Sequence, residues 1–175
     1  MSKPASSSAA LPIAHVVLRI LIVVNWLSGA AIFTLLVAMP TRQWIMSSLS
    51  LSPGPEAERV ILGLRAIAVI GVALVPLYFA VLKRLLAIVE TVRAGDPFVA
   101  ANGDRLQAIA WLLLALQLVG LVVGAIVKAI STPVHPINIH AGFSINGWLA
   151  VLLTFLLARV FAEGTRMRED LEGTV

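Results

Sequence analysis

The side chains most suited to chemistry in this chain are His135 and His140, spaced His-Pro-Ile-Asn-Ile-His. Two imidazoles can hold zinc or copper, and Glu56 or Glu58 from another loop could complete a set. Histidine also titrates near neutrality, which would suit a pH sensor. The spacing, however, does not put both rings on one helical face, and no third ligand lies close by. Two solvated loop histidines are the favoured reading. Arg19 and Arg65 lie within apolar runs, where charge is costly and often functional. Each is near the end of its run, so both are read as extending their stems to the interface. Asn25 and Gln117 are amides deep in apolar sequence, and such groups seek a partner on another helix. They are expected to contact each other, with ligand binding as the alternative.

Enzyme signatures are missing. The sequence has no H-E-x-x-H, no G-x-S-x-G, no phosphate-binding loop and no dinucleotide-binding glycine pattern. With no cysteine, it can hold no disulfide, thiolate metal site or cysteine nucleophile. The lone tyrosine, Tyr78, falls in an apolar run. No acid sits in any such run to serve as a proton relay, which argues against an ion-coupled transporter. The sequence therefore predicts no enzyme, cofactor or metal.

What must position these residues is a set of four apolar runs: Leu11–Met39, Val60–Leu82, Leu106–Val127 and Phe143–Phe161. Each is long enough to cross a hydrocarbon core of about 30 Å at 1.5 Å per residue. Of the 175 residues, 59% are hydrophobic and 13% charged, with mean hydropathy +0.98. Soluble domains carry about 25% charged residues. The expected fold is all-α: a polytopic membrane protein forming a four-transmembrane-helix bundle, with lipid as its solvent. Residues 1–10 read as a disordered tail, 11–162 as the transmembrane domain and 163–175 as a charged cytoplasmic tail.

Local signals refine the boundaries. Pro12 suits a first helical turn, and Met39-Pro40 ends the first run. Trp44 fits an interfacial anchor. Pro53-Gly54-Pro55 marks a break, and Pro76 can kink the second helix. Leu82, Leu85, Leu86, Val89 and Val92 recur at helical spacing, so that helix should continue as an amphipathic extension. Gly95 is expected to stop it. Asp96-Pro97 reads as the cap and first residue of the next helix, with Asn102-Gly103-Asp104 as an alternative start. Phe98 is expected to dock on the preceding helix.

Basic residues set orientation. Lys83, Arg84, Arg93 and Arg105, with Lys3, Arg159, Arg166 and Arg168, lie on one side; Arg42, Arg59, Arg65 and Lys128 lie on the other. The larger set predicts cytoplasmic termini, in the bacterial inner membrane. The net charge of +4 then serves anionic headgroups rather than nucleic acid, since no basic patch interleaves with aromatics. Gly120-x-x-x-Gly124 and Ser28-Gly29-Ala30-Ala31 permit close helix approach, within one chain or in a homo-oligomer. In the tail, Arg166 with Asp170 and Arg168 with Glu172 have the spacing of intrahelical ion pairs.

The stretch Gly95-Asp96-Pro97-Phe98, followed by Asn102 and Leu106, forms a Gly-x-Pro-Phe…Asn…Leu pattern, joined to the tail Phe161–Leu171. With four spans and this length, the chain resembles the bacterial DUF2975 family of membrane proteins. The resemblance brings no catalytic residues. It implies an integral cytoplasmic-membrane protein, often encoded beside a small helix-turn-helix regulator, and hence a transcription factor as partner. On that reading Arg93, Asp96, Pro97, Phe98, Arg166, Arg168 and Asp170 are candidate docking residues of a non-enzymatic sensor or tether. The alternatives are a small transporter or channel component, and an immunity or structural membrane protein.

Overall fold

The computed structural model describes residues 7–37, 54–131 and 142–172. His135, His140, Trp44 and Pro40 lie outside them. Four helices account for nearly all of the described chain: α1 (Ser7–Val37), α2 (Pro55–Arg93), α3 (Ala100–Ile130) and α4 (Ile145–Glu172). All four are long and apolar enough to cross a membrane, and no more than 22% of the most apolar window of any helix is buried by protein. Leu35, Val37, Ile145 and Leu152 are each about two-thirds exposed or more. Water would not tolerate so much uncovered apolar surface, whereas lipid matches it. The expectation of an all-α multi-pass membrane protein holds.

Several boundaries move from their expected places. The first helix begins at Ser7, so Ser7–Ala10 are helical rather than tail, and Pro12 lies in the second turn. The alanines at 9 and 10 favour helix enough to extend it across the proline. The second helix starts at Pro55, absorbing Glu56–Arg59 from the expected loop. Proline at the first position, with two acids in the first turn, suits a helix N-terminus. It then runs past Pro76 to Arg93, including the expected amphipathic extension. At α4, the Ser144 hydroxyl accepts the Gly147 N–H at 3.2 Å, capping the helix two residues after Phe143.

Among the described residues the helices pack in chain order: α1 on α2, α2 on α3, and α3 on α4, without contact between α1 and α4. The α1–α2 seam contains Gly29 against Val75 and Trp26 with ring centroid 5.6 Å from that of Phe79. At one end His15 Nε2 lies 3.7 Å from Glu90 Oε1. Beside Pro76, an apolar groove of about 420 Å³ separates the Trp26 and Phe33 rings from Val72. At the α2–α3 seam, Gly63 is buried beneath Ile130. At the α3–α4 seam, Trp111 meets Phe155 edge-on at 5.3 Å, and Gly103 lies against the Ala162 backbone. Gly120 and Gly124 face Gly142 of the same chain.

These contacts set the helices' relative heights. Arg65, two residues past Gly63, and Lys128, two before Ile130, stand at one level. At the opposite end the His15–Glu90 contact brings Arg19 within a turn of Lys83 and Arg84, and the α3–α4 seam adds Arg105 and Arg159. On α2, eighteen residues separate Arg65 from Lys83, about 27 Å along the axis. That is close to the thickness of a hydrocarbon core. Arg19 and Arg65 are both exposed at the edges of this slab, where long stems can carry their charges to the headgroups.

Candidate functional site

The strongest concentration of polar contacts lies at the turn joining α2 to α3. Ala94 caps α2 and Gly95 follows at φ +88°, a left-handed conformation that favours glycine. The Gly95 N–H donates to Val92 O at 3.1 Å, and the Asp96 N–H donates to Thr91 O at 3.1 Å. This pair of bonds is a Schellman motif, closing the last carbonyls of α2. Gly95→Ala meets no side chain or backbone within 4 Å, so its cost is conformational. Thermal unfolding in detergent should show a loss of about 1 kcal/mol.

Asp96-Pro97 does not start α3, as expected from the sequence: the Asp96 carboxylate, which a cap would turn to the following N–H groups, accepts from Arg168 instead. Nor does the alternative at Asn102-Gly103-Asp104. The helix begins at Ala100 after Val99 in extended conformation, with the Asn102 N–H donating to Val99 O at 2.9 Å. Asn102, in the first turn of α3, is fully buried. Its Nδ2 donates to Thr91 Oγ1 at 2.7 Å and to Pro97 O at 2.9 Å, while its Oδ1 accepts from Arg105 Nη1 at 2.8 Å. Thr91 in turn donates to Ile88 O at 2.8 Å. One amide thus ties together the end of α2, the turn and the start of α3, with each of its polar atoms partnered.

The turn also grips the last helix. Arg168 Nη1 on α4 donates to the Asp96 carboxylate, a contact a tail read as a self-contained helix could not contain. Phe98 was expected to dock on the preceding helix. It packs instead on α4, with its ring centroid 5.6 Å from that of Phe161 and its edge over Gly164. Even a Cβ at Gly164 would sit in van der Waals contact with the ring, at 3.4 Å, so the ring rests on this face of α4.

Of the seven docking residues suggested by sequence, four are gathered here: Asp96, Pro97, Phe98 and Arg168. Arg93 and Asp170 are exposed, and Arg166 lines a separate groove with Arg159. Thr91 and Arg105 were not singled out as site residues. In the sequence Arg105 reads as a loop charge, but its position three residues after Asn102 is the helical spacing that lets the two meet.

The expected pairing of Asn25 with Gln117 does not form. α1 does not touch α3, and Asn25 Nδ2 donates to Val75 O on α2 at 3.1 Å. Gln117 lies on the α3–α4 seam, its Nε2 buried over Gly147 without a hydrogen-bond partner. Among the described residues no three His, Asp or Glu side chains form a metal-binding group.

The geometry assigns a position to each residue of the Gly-x-Pro-Phe…Asn…Leu pattern: the left-handed stop, the acceptor carbonyl, the α4 contact, the buried hub and the core residue Leu106. A family model described as "Protein of unknown function (DUF2975)" matches residues 21–175. The chain belongs to the DUF2975 family. No curated protein and no solved structure matches it. In this DUF2975 protein the match covers all four helices, including most of α1, as well as the turn and the charged end of α4.

Proposed function

We propose that this protein is a non-enzymatic sensor or tether that couples the bilayer to a cytoplasmic regulator of the helix-turn-helix type. The excess of Lys and Arg at the α2–α3 turn favours placing that end, and both termini, in the cytoplasm of a bacterial cell. The observation that carries the reading is the Asp96–Arg168 contact. It joins two segments, 83–105 and the end of α4, which are far apart in sequence, into one surface. Phe98 and Met167 are each about half exposed beside it, giving apolar anchors next to the exposed cation Arg93. Such anchors within a charged rim suit protein docking.

A movement between α3 and α4 would pull Phe98 from Phe161 and separate Asp96 from Arg168, changing what the surface presents. Photocrosslinkers placed at Phe98 and at Met167 in native membranes should capture the same regulator, and Asp96→Asn with Arg168→Gln should reduce capture several-fold. Recovery of no regulator from either position, with transcription unchanged after deletion of the gene, would overturn the proposal.

A further inference from the structure

On the opposite face of the α3–α4 pair from Phe98 lies a cavity of about 420 Å³. Its bilayer end is formed by Phe155 and Ala158, its polar wall by Gln107 and Arg159, and its outer wall by Asp104, Arg166 and Glu169. The two guanidinium groups and two carboxylates are all exposed, and none is within ion-pairing distance of another. Four charges of both signs thus surround open space without neutralising one another.

We propose that this cavity binds the headgroup of a zwitterionic phospholipid with a primary amine, of the phosphatidylethanolamine class. The argument rests on height and charge order. Phe155 is level with Trp111, inside the apolar slab, whereas Glu169 is fourteen residues farther along α4, about 21 Å towards the polar end. An acyl chain can lie against Phe155 and Ala158. Gln107 and Arg159 come next, at the level of the basic belt, where the phosphate sits. Asp104, three residues from Gln107 on α3, stands about 4.5 Å farther from the slab, where the ammonium projects, and Arg166 and Glu169 lie beyond it. Side chains lean towards the N-terminus of their own helix. Arg159 on α4 therefore leans towards the bilayer and Asp104 on α3 away from it, matching the order of phosphate and amine.

The balance of charge selects among headgroups. A purely anionic glycerol headgroup would be drawn to the arginines but repelled by Asp104 and Glu169. A choline carries the same charges as ethanolamine but has no N–H to donate. A primary ammonium can donate a charge-assisted hydrogen bond to the Asp104 carboxylate, with Glu169 adding longer-range attraction from farther out.

The test is native mass spectrometry of the purified full-length protein with phosphatidylethanolamine, phosphatidylcholine and phosphatidylglycerol of identical acyl chains, in equimolar mixture. Ethanolamine lipid should be retained about threefold or more over each of the others. Asp104→Asn with Glu169→Gln should reduce it to the level of the choline lipid, and Arg159→Gln should reduce all three, with Arg159→Lys restoring part of the retention. Soluble phosphoethanolamine added in excess should displace the ethanolamine lipid, which separates headgroup recognition from acyl-chain adhesion. Equal retention of the three lipids, preference for the glycerol lipid, or no change in the acidic variants at an unaltered unfolding midpoint would overturn the assignment. The readout involves no regulator, so it fails or succeeds independently of the partner proposal.

Discussion

Gly63→Ala should loosen the seam between α2 and α3. A Cβ at Gly63 would lie 2.4 Å from Ile130 Cγ2 and 3.0 Å from its Cδ1, with Ile126 behind. Ile130 is itself 6% exposed, and its branched Cβ holds χ1 stiffly in a helix, so the methyl cannot simply swing aside. Either the rotamer is forced or the helices separate, at a cost of about 1–3 kcal/mol. Unfolding in detergent micelles should show the loss, and Ile130→Ala in the same chain should recover part of it by vacating the space. The coupling between the two substitutions distinguishes a steric clash from a general dislike of alanine. Gly54→Ala is the matched control: it meets nothing within 4 Å and its backbone is extended at φ 171°, so it should change little. If Gly63→Ala is as stable as the parent and shows no coupling to Ile130, the α2–α3 seam is not packed as described.

The spans were legible because twenty or so consecutive apolar residues admit few other structures, and the stop at Gly95 because only a left-handed residue finishes a helix that way. Helix order was less visible. Asn25 and Gln117 both announce a need for hydrogen bonds, but the apolar pattern of each helix is nearly uniform around its circumference and does not say which neighbour it faces. A backbone carbonyl such as that of Val75 leaves no mark in the sequence, so the partner Asn25 found could not be named in advance. The start of α3 was misplaced for a related reason. Asp96-Pro97 has the chemistry of a helix start, but the Asp96 carboxylate that would cap it is taken by Arg168, a partner far away in sequence. The contact of Phe98 with α4 is not legible in the sequence because Phe161 and Gly164 reach the turn only once α4 has folded back along α3.

The charged residues bear on both proposals through their placement. Seen along the sequence, Arg166 and Arg168 belong to one tail. On the helix they point to different faces, Arg168 towards the turn at Asp96 and Arg166 towards the cavity with Arg159. The same end of the molecule can therefore offer one face to a protein and another to lipid. The α3–α4 pair connects the two faces: Gly103 at the Ala162 backbone is close to both Asn102 and Asp104. Displacing α4 at that contact would alter the docking surface and the cavity together.

Asn102→Asp should be the most damaging isosteric change at the turn. It keeps the shape and the acceptor for Arg105 but removes both donors, those to Thr91 Oγ1 and Pro97 O. Thr91 can turn its hydroxyl to donate to the new carboxylate, at the expense of its bond to Ile88 O. Pro97 O has no such remedy and would face another oxygen at about the 2.9 Å that now separates it from an amide nitrogen. The position is fully buried, so water offers little relief. Arg105 offsets part of the charge, leaving an expected loss of about 2–4 kcal/mol. Thr91→Val, which removes one partner while keeping the branch, should cost about 1 kcal/mol. Limited proteolysis should show faster cutting between Ala94 and Val99 in Asn102→Asp, because those residues lose their attachment to α3. Acid should restore part of the stability, since a protonated carboxyl regains a donor for Pro97 O. If Asn102→Asp matches the parent in stability and in protease resistance at neutral pH, the amide is not what holds the turn to α3, and the surface formed with Arg168 loses its support.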